Sequence, residues 1–216
     1  MKVEIYSDIA CPWCYIGERR FFRALQEFEG RGAVEVVFRP FQLDPALSAT
    51  SRPLVDTLQA KFGSNLEPTL RHTAATARNE GLTFDFHRAR AVNTLRAHRL
   101  LWHVLRTAGP DAQHRMADRL FRAYFSEGKD VGDIETLVAL ASESGLVDEP
   151  IRAFLQSDDG TADVREEIDH AQRIGVRAVP TFVFDGESAV QGAQPAEVFL
   201  QVLEEVADER SVPRNE

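Results

Sequence analysis

Cys11 and Cys14 are the only cysteines in the 216 residues. Two residues separate them, and few kinds of chemistry suit that spacing. The pair is a dithiol that exchanges with disulfides, half of a tetrahedral zinc site, or two small side chains that merely pack. Pro12 follows Cys11, and proline is favoured at the first helical position, so Cys11 falls near a helix N-cap. Unsatisfied amides and the helix dipole favour a negative sulfur there, and the thiolate is the form that attacks. Cys14 lies one turn further in, more buried, where it could resolve a mixed disulfide from behind. Zinc lacks the remaining ligands. Among His72, His87, His98, His103, His114 and His170 no spacing completes a site, and His98 and His103 point to different helix faces. Trp13 is either a platform for substrate beside the thiols or core packed against a neighbouring helix. Both its neighbours must be reachable, which favours partial exposure.

Val179-Pro180-Thr181 is the second signal. Proline at the head of a strand removes a ladder donor. A cis bond would account for it, and a trans proline opening an edge strand is the alternative. The order of elements places Pro180 at the same end of the sheet as Cys11.

The elements that position these residues follow from periodicity. Residues 2–7 alternate as a strand, a helical pattern follows Cys11 as far as Gly30, and Val34–Phe38 reads as a second strand. Residues 53–175 show almost no strand signal. Helices are expected after Pro53, from Thr94 to Thr107, around Met116–Phe125, after an Asp133 cap, from Pro150 to Gln156, and after a Thr161 cap. The last of these should bury Val164, Ile168, Ala171 and Ile174 on one face. Strands return at Thr181–Phe184 and Ala189–Gln191 around an Asp185-Gly186 turn, and a final amphipathic helix carries Val198, Phe199, Val202, Leu203 and Val206. The expected organisation is a discontinuous sheet domain, 1–52 and 176–208, interrupted by an all-helical insertion, 53–175, with a flexible tail, 209–216.

Composition excludes several classes. With 44% hydrophobic and 27% charged residues the chain resembles ordinary globular proteins. A chain of this length buries roughly 70% of its unfolded surface and needs no metal staple. The net charge of −9 disfavours nucleic acid and anionic lipid as partners, and the basic residues are scattered along the chain. No stretch approaches a membrane span, and the N-terminus lacks a signal-like apolar run, so a cytoplasmic location is expected.

The sequence resembles the DsbA-like branch of the thioredoxin superfamily, and more narrowly FrnE-type oxidoreductases. The resemblance rests on Ser7-Asp8 leading to Cys11-Pro12-Trp13-Cys14, on Arg39-Pro40-Phe41-Gln42-Leu43, and on Asn93-Thr94 with Ala97-His98-Arg99. It continues through Leu120-Phe121 with Ala123-Tyr124-Phe125, Gly175-Val176-Arg177-Ala178-Val179-Pro180-Thr181-Phe182, and Gly192-Ala193-Gln194-Pro195. It implies an α/β thioredoxin-like fold with a large helical insertion and a cis Val179–Pro180 bond over the thiols. Cys11 would be the nucleophile and Cys14 the resolving thiol, with Pro12, Trp13, Val179 and Pro180 contacting substrate. The central residues Pro12-Trp13 match neither the Pro-His of strong oxidants nor the Gly-Pro of thioredoxins, so the redox direction stays open. Asp8, Arg39, Gln42, Asn93 and His98 could supply polar contacts near the site, a structural role being the commoner one for His98.

The reading is a thiol–disulfide oxidoreductase acting on protein or small-molecule thiols and disulfides. It needs no metal and no organic cofactor, with glutathione as a candidate co-substrate. Two alternatives remain. Kappa-class glutathione transferases and hydroxychromene-carboxylate isomerases share the helix-inserted fold, but usually carry serine where Cys11 stands. A non-enzymatic docking module is the other.

Overall fold

The structure, a computed structural model, describes residues 1–211. Strand β1 (Lys2–Ser7) alternates at first and then buries Ile5, Tyr6 and Ser7 in succession. A strand covered on both faces reads that way, and β1 is central. Helix α1 (Pro12–Glu27) leads to β2 (Glu35–Pro40), which pairs with β1 in parallel, Ile5 opposite Phe38.

The insertion begins with a two-residue strand, β3 (Arg52–Pro53), followed by α2 (Leu54–Phe62) and α3 (Leu66–Asn79). The apolar spacing does not single out α3. Strand β4 (Arg90–Ala91) pairs antiparallel with β3, a small ladder in a region expected to hold almost none. Then come α4 (Leu95–Ala108) and α5 (Pro110–Arg122), which continues as a π-helical turn at Ala123–Glu127. Helix α6 (Ile134–Glu143) starts at Asp133, whose carboxylate accepts from the Thr136 amide as expected of a cap. Helices α7 (Asp148–Gln156) and α8 (Thr161–Arg173) complete the block.

The start and the end of α8 correct two expectations. Thr161 is the first helical residue and makes no side-chain cap; Gly160 precedes it at φ 71°. A Cβ on Gly160 would lie 2.8 Å from the Trp102 ring, so close packing and a left-handed backbone select glycine. Ile174 is 49% exposed, because α8 ends at Arg173 and the chain leaves the apolar face there.

Strands β5 (Thr181–Phe184) and β6 (Ser188–Gln191) form the hairpin, with positive φ at both Asp185 and Gly186. The sheet order is β2-β1-β5-β6, with β5 antiparallel to both neighbours. Helix α9 (Ala196–Ser211) closes the chain. Residues 209–211, expected in the tail, therefore continue this helix, and residues 212–216 lie outside the described residues. Phe21 of α1 meets Phe182, Phe184 and Phe199 in one aromatic cluster, which fastens α1 and α9 to the same sheet face. Tyr6, on the other face, packs with Ala171 and Val176 at the end of α8.

The insertion is built into the sheet domain. Tyr15 stacks on Phe121 at 5.0 Å and Phe84 at 5.9 Å. Buried Gln113 of α5 accepts from the Phe38 amide at 2.8 Å and donates to the Phe38 carbonyl at 3.0 Å. Strand β2 is an edge, and Gln113 supplies the pairing a further strand would have given.

Candidate active site

Cys11 is the N-cap of α1, with extended backbone (φ −95°, ψ 111°) and Pro12 following it inside the helix. Its side chain makes no capping hydrogen bond; instead the Sγ–H donates to the Val179 carbonyl at 3.7 Å. The Cys11 amide donates to the Asp8 carbonyl at 2.9 Å, and the Cys14 amide to the Cys11 carbonyl at 3.1 Å. Both cysteines are free thiols. Cys11 is 4% exposed and Cys14 1%, so both sulfurs are largely screened from solvent.

Burial pushes the Cys14 thiol well above its ordinary range, and the adjoining Cys11 sulfur pushes it the same way. The backbone of Asp8 hydrogen-bonds Cys14 and partly opposes this. A thiol so placed stays protonated while the Cys11 thiol lies beside it.

Trp13 is 36% exposed and lies beside His72 of α3, ring centres 6.3 Å apart. Pro12 is half-buried. The Val179–Pro180 peptide is cis, with Val179 half-buried and Pro180 buried. Pro180 is held from below by its carbonyl, which accepts from Gly192 at 2.8 Å, and from the side by α1. A Cβ at Gly17 would sit 3.0 Å from the Pro180 ring. Among the described residues no hydrogen bond engages the amides of Arg177, Ala178 or Val179. The structure thus brings Cys11, Cys14, Pro12, Trp13, Val179 and Pro180 to one end of the sheet.

Asp8 organises the turn from beneath. Buried to 1% exposure, its carboxylate accepts from Ala10 at 3.3 Å and Leu43 at 2.7 Å, and lies 3.3 Å from His98 Nε2. His98 is a buried, hydrogen-bonded histidine of α4. Gln42 donates to Asn93 at 2.9 Å, fixing the loop after β2 to the insertion. Arg39 does not reach the thiols. It pairs with Glu4 at 2.7 Å and Glu167 at 3.2 Å across the sheet. Among the described residues no group of three or more His, Cys, Asp or Glu could hold a metal.

Two contributors escaped the sequence reading. Gly17 lies inside α1 on the side facing Pro180, and a glycine within a strong helical pattern was the available signal. His72 belongs to α3, whose spacing gives no clear stripe.

A thiol pair at a helix start, under a Val–Pro junction on a four-stranded sheet, defines a thioredoxin-like site. The DsbA-like thioredoxin domain family matches residues 2–204, and the chain belongs to it, a family of thiol oxidoreductases. A probable DsbA oxidoreductase from Streptomyces coelicolor is 38% identical, superposes with a TM-score of 0.90, and covers 100% of this chain and 94% of its own. A 2-hydroxychromene-2-carboxylate isomerase is 18% identical with a TM-score of 0.71, covering 98% of each chain. The cytosolic disulfide reductase DsbM from Pseudomonas aeruginosa, solved with GSH, is 19% identical with a TM-score of 0.67, covering 96% of this chain and 100% of its own. The last two likenesses concern the fold alone.

Proposed function

We propose that the protein is a FrnE-type thiol–disulfide oxidoreductase working through a Cys11–Cys14 dithiol cycle. The observation that carries this is the placement of the Cys11 sulfur at the start of α1, 3.7 Å from the Val179 carbonyl, with buried Cys14 one turn behind. The Cys11 thiolate attacks one sulfur of a substrate disulfide, forming a mixed disulfide and releasing the other sulfur as a thiolate. Cys14 gives up its proton and attacks Cys11 Sγ. The second substrate sulfur leaves as a thiol, and a Cys11–Cys14 disulfide remains. Two electrons pass to the substrate; run backwards, the same steps oxidise a dithiol. Thiols such as glutathione would reset the oxidised pair, and no metal or organic cofactor enters the cycle.

An extended substrate segment would pair with the unengaged amides beside Val179, using main-chain hydrogen bonds, while Trp13 and Pro12 flank it. The substrate is a protein or small molecule bearing a thiol or disulfide. Scarce cysteine supports a cytoplasmic location, and no described helix is long and apolar enough to cross a membrane.

The test uses Cys14→Ser with oxidised glutathione. A glutathione adduct on Cys11 should accumulate and be absent in Cys11→Ser, as read by non-reducing mass spectrometry. The isomerase-like fold supports a second reading, glutathione-dependent isomerisation or transfer. Full retention of turnover on a hydroxychromene carboxylate in Cys14→Ser, without the adduct, would replace the first reading with the second.

A further inference from the structure

Arg96 and Arg99 of α4 and Arg165 of α8 converge on one pocket of about 280 Å³, although they are scattered in sequence. Asn93, Thr161 and Asp158 also line it. Three arginines and one aspartate thus line one pocket, in a chain whose net charge is −9. Among the described residues none of the three arginines forms an ion pair. Among the described residues the Arg165 side chain makes no hydrogen bond, and that of Arg96 donates only to the Gly132 carbonyl.

Arg99 is 6% exposed and donates to the carbonyls of Phe154 in the last turn of α7 and of Ser157 and Asp159 just beyond it. Those carbonyls hold it rigidly, and the α7 dipole offsets part of its charge. Burial above all, and the neighbouring Arg96, disfavour its protonated form, while Asp158 and Asp159 oppose this. Helix α8 starts beside the same pocket without a side-chain cap, and Thr161 and Arg165 of the helix line the cavity.

We propose that this pocket binds the oxyanion group, phosphate or carboxylate, of a small anionic molecule. Arg96 and Arg165 form the charged clamp, Arg99 is its fixed floor, and the Thr161 hydroxyl adds a donor. Guanidinium forks suit both oxyanions, with charge-assisted bonds roughly twice as strong as neutral ones. The site stands independently of the thiol chemistry, yet shares a frame with it. Asn93 accepts from Gln42 and holds the Pro45 and Leu47 carbonyls, while Asp8 holds both Leu43 and the Cys11 amide.

The full chain should be melted with increasing inorganic phosphate, with increasing succinate, and with sodium chloride at matched ionic strength. A saturable rise in melting temperature beyond the chloride control is expected from at least one of the two anions. Phosphate alone would identify a phosphate ligand, and succinate alone a carboxylate. The Arg96→Ala/Arg165→Ala variant leaves Arg99 and its structural bonds intact. It should weaken the half-saturating concentration at least about tenfold, the loss of one charge-assisted hydrogen bond. No rise beyond chloride from either anion, or an undiminished response in the folded double variant, would overturn the proposal.

Discussion

The first turn of α1 and its middle turns belong to one helix but are built in opposite ways. In the first turn, Cys11 caps nothing, Trp13 stands partly in solvent, and the Val179 amide opposite is unengaged. One turn later the side chains are packed or paired, although Glu18 Oε2 has no partner. Tyr15 stacks on Phe121 and donates to Asp118 at 3.1 Å, Gly17 abuts Pro180, and Glu18 meets His114 at 3.0 Å. The difference shows where an exchange site gets its reactivity and its precision. Unpaired polar groups at the helix start leave room for a substrate sulfur, and the insertion clamps the rest so that this start does not wander.

Breaking the open end should have the largest effect. Cys11→Ser is expected to lower disulfide-exchange turnover by at least ~10³-fold, since the attacking sulfur is lost, with the melting temperature nearly unchanged. Turnover assays alongside thermal melts check both halves of that statement.

Loosening the clamp should cost stability instead. Gln113→Leu strands the Phe38 amide and carbonyl in the core, and the loss is expected to reach about 1–3 kcal/mol for each unpaired group. Urea denaturation measures it. Gly17→Val drives two methyls toward the Pro180 ring, where a Cβ alone already comes within 3.0 Å. Overpacking of this kind costs roughly 1–3 kcal/mol. Because Pro180 adjoins Val179, turnover should fall with stability in this variant, whereas Gln113→Leu should spare it at temperatures where it remains folded.

The smallest expected effect has a sign that depends on pH. Burial pushes the Glu18 carboxyl up, and the His114 partner only partly opposes this. Folded protein therefore binds the Glu18 proton more tightly than unfolded chain does, so this residue's contribution is complete below the unfolded value and declines as pH rises through the folded one. Glu18→Gln keeps an acceptor for His114 and removes the titration. Its melting temperature relative to wild type should rise between pH 4 and pH 7, and a difference that stays flat or falls would contradict the assignment.

The open end was legible in the sequence because its devices are local. Pro12 after Cys11 marks a helix start and reads out within a few residues, as does the Asp185-Gly186 turn at the far end of the sheet. The clamp was not legible, for a physical reason. Gln113 on an amphipathic helix looks like a solvated residue until the edge of β2 is known to lie against it. Asp8 and His98 are 90 positions apart, and their contact exists only once α4 packs beneath the thiol turn. Thr161 was a sound cap by type and failed because the Trp102 ring needs the space that only Gly160 leaves. The scattered arginines likewise gave no sign of convergence, since α4 and α8 meet only in the folded chain.

The most direct measurement is equilibration of the wild-type protein with graded ratios of reduced to oxidised glutathione, followed by acid quenching, alkylation and mass spectrometry. The account predicts one two-electron transition from two alkylated cysteines to an internal Cys11–Cys14 disulfide, with a midpoint between about −120 and −270 mV. Thiols that stay alkylatable at every ratio, or a glutathione adduct on Cys11 that never resolves to the internal disulfide, would contradict it.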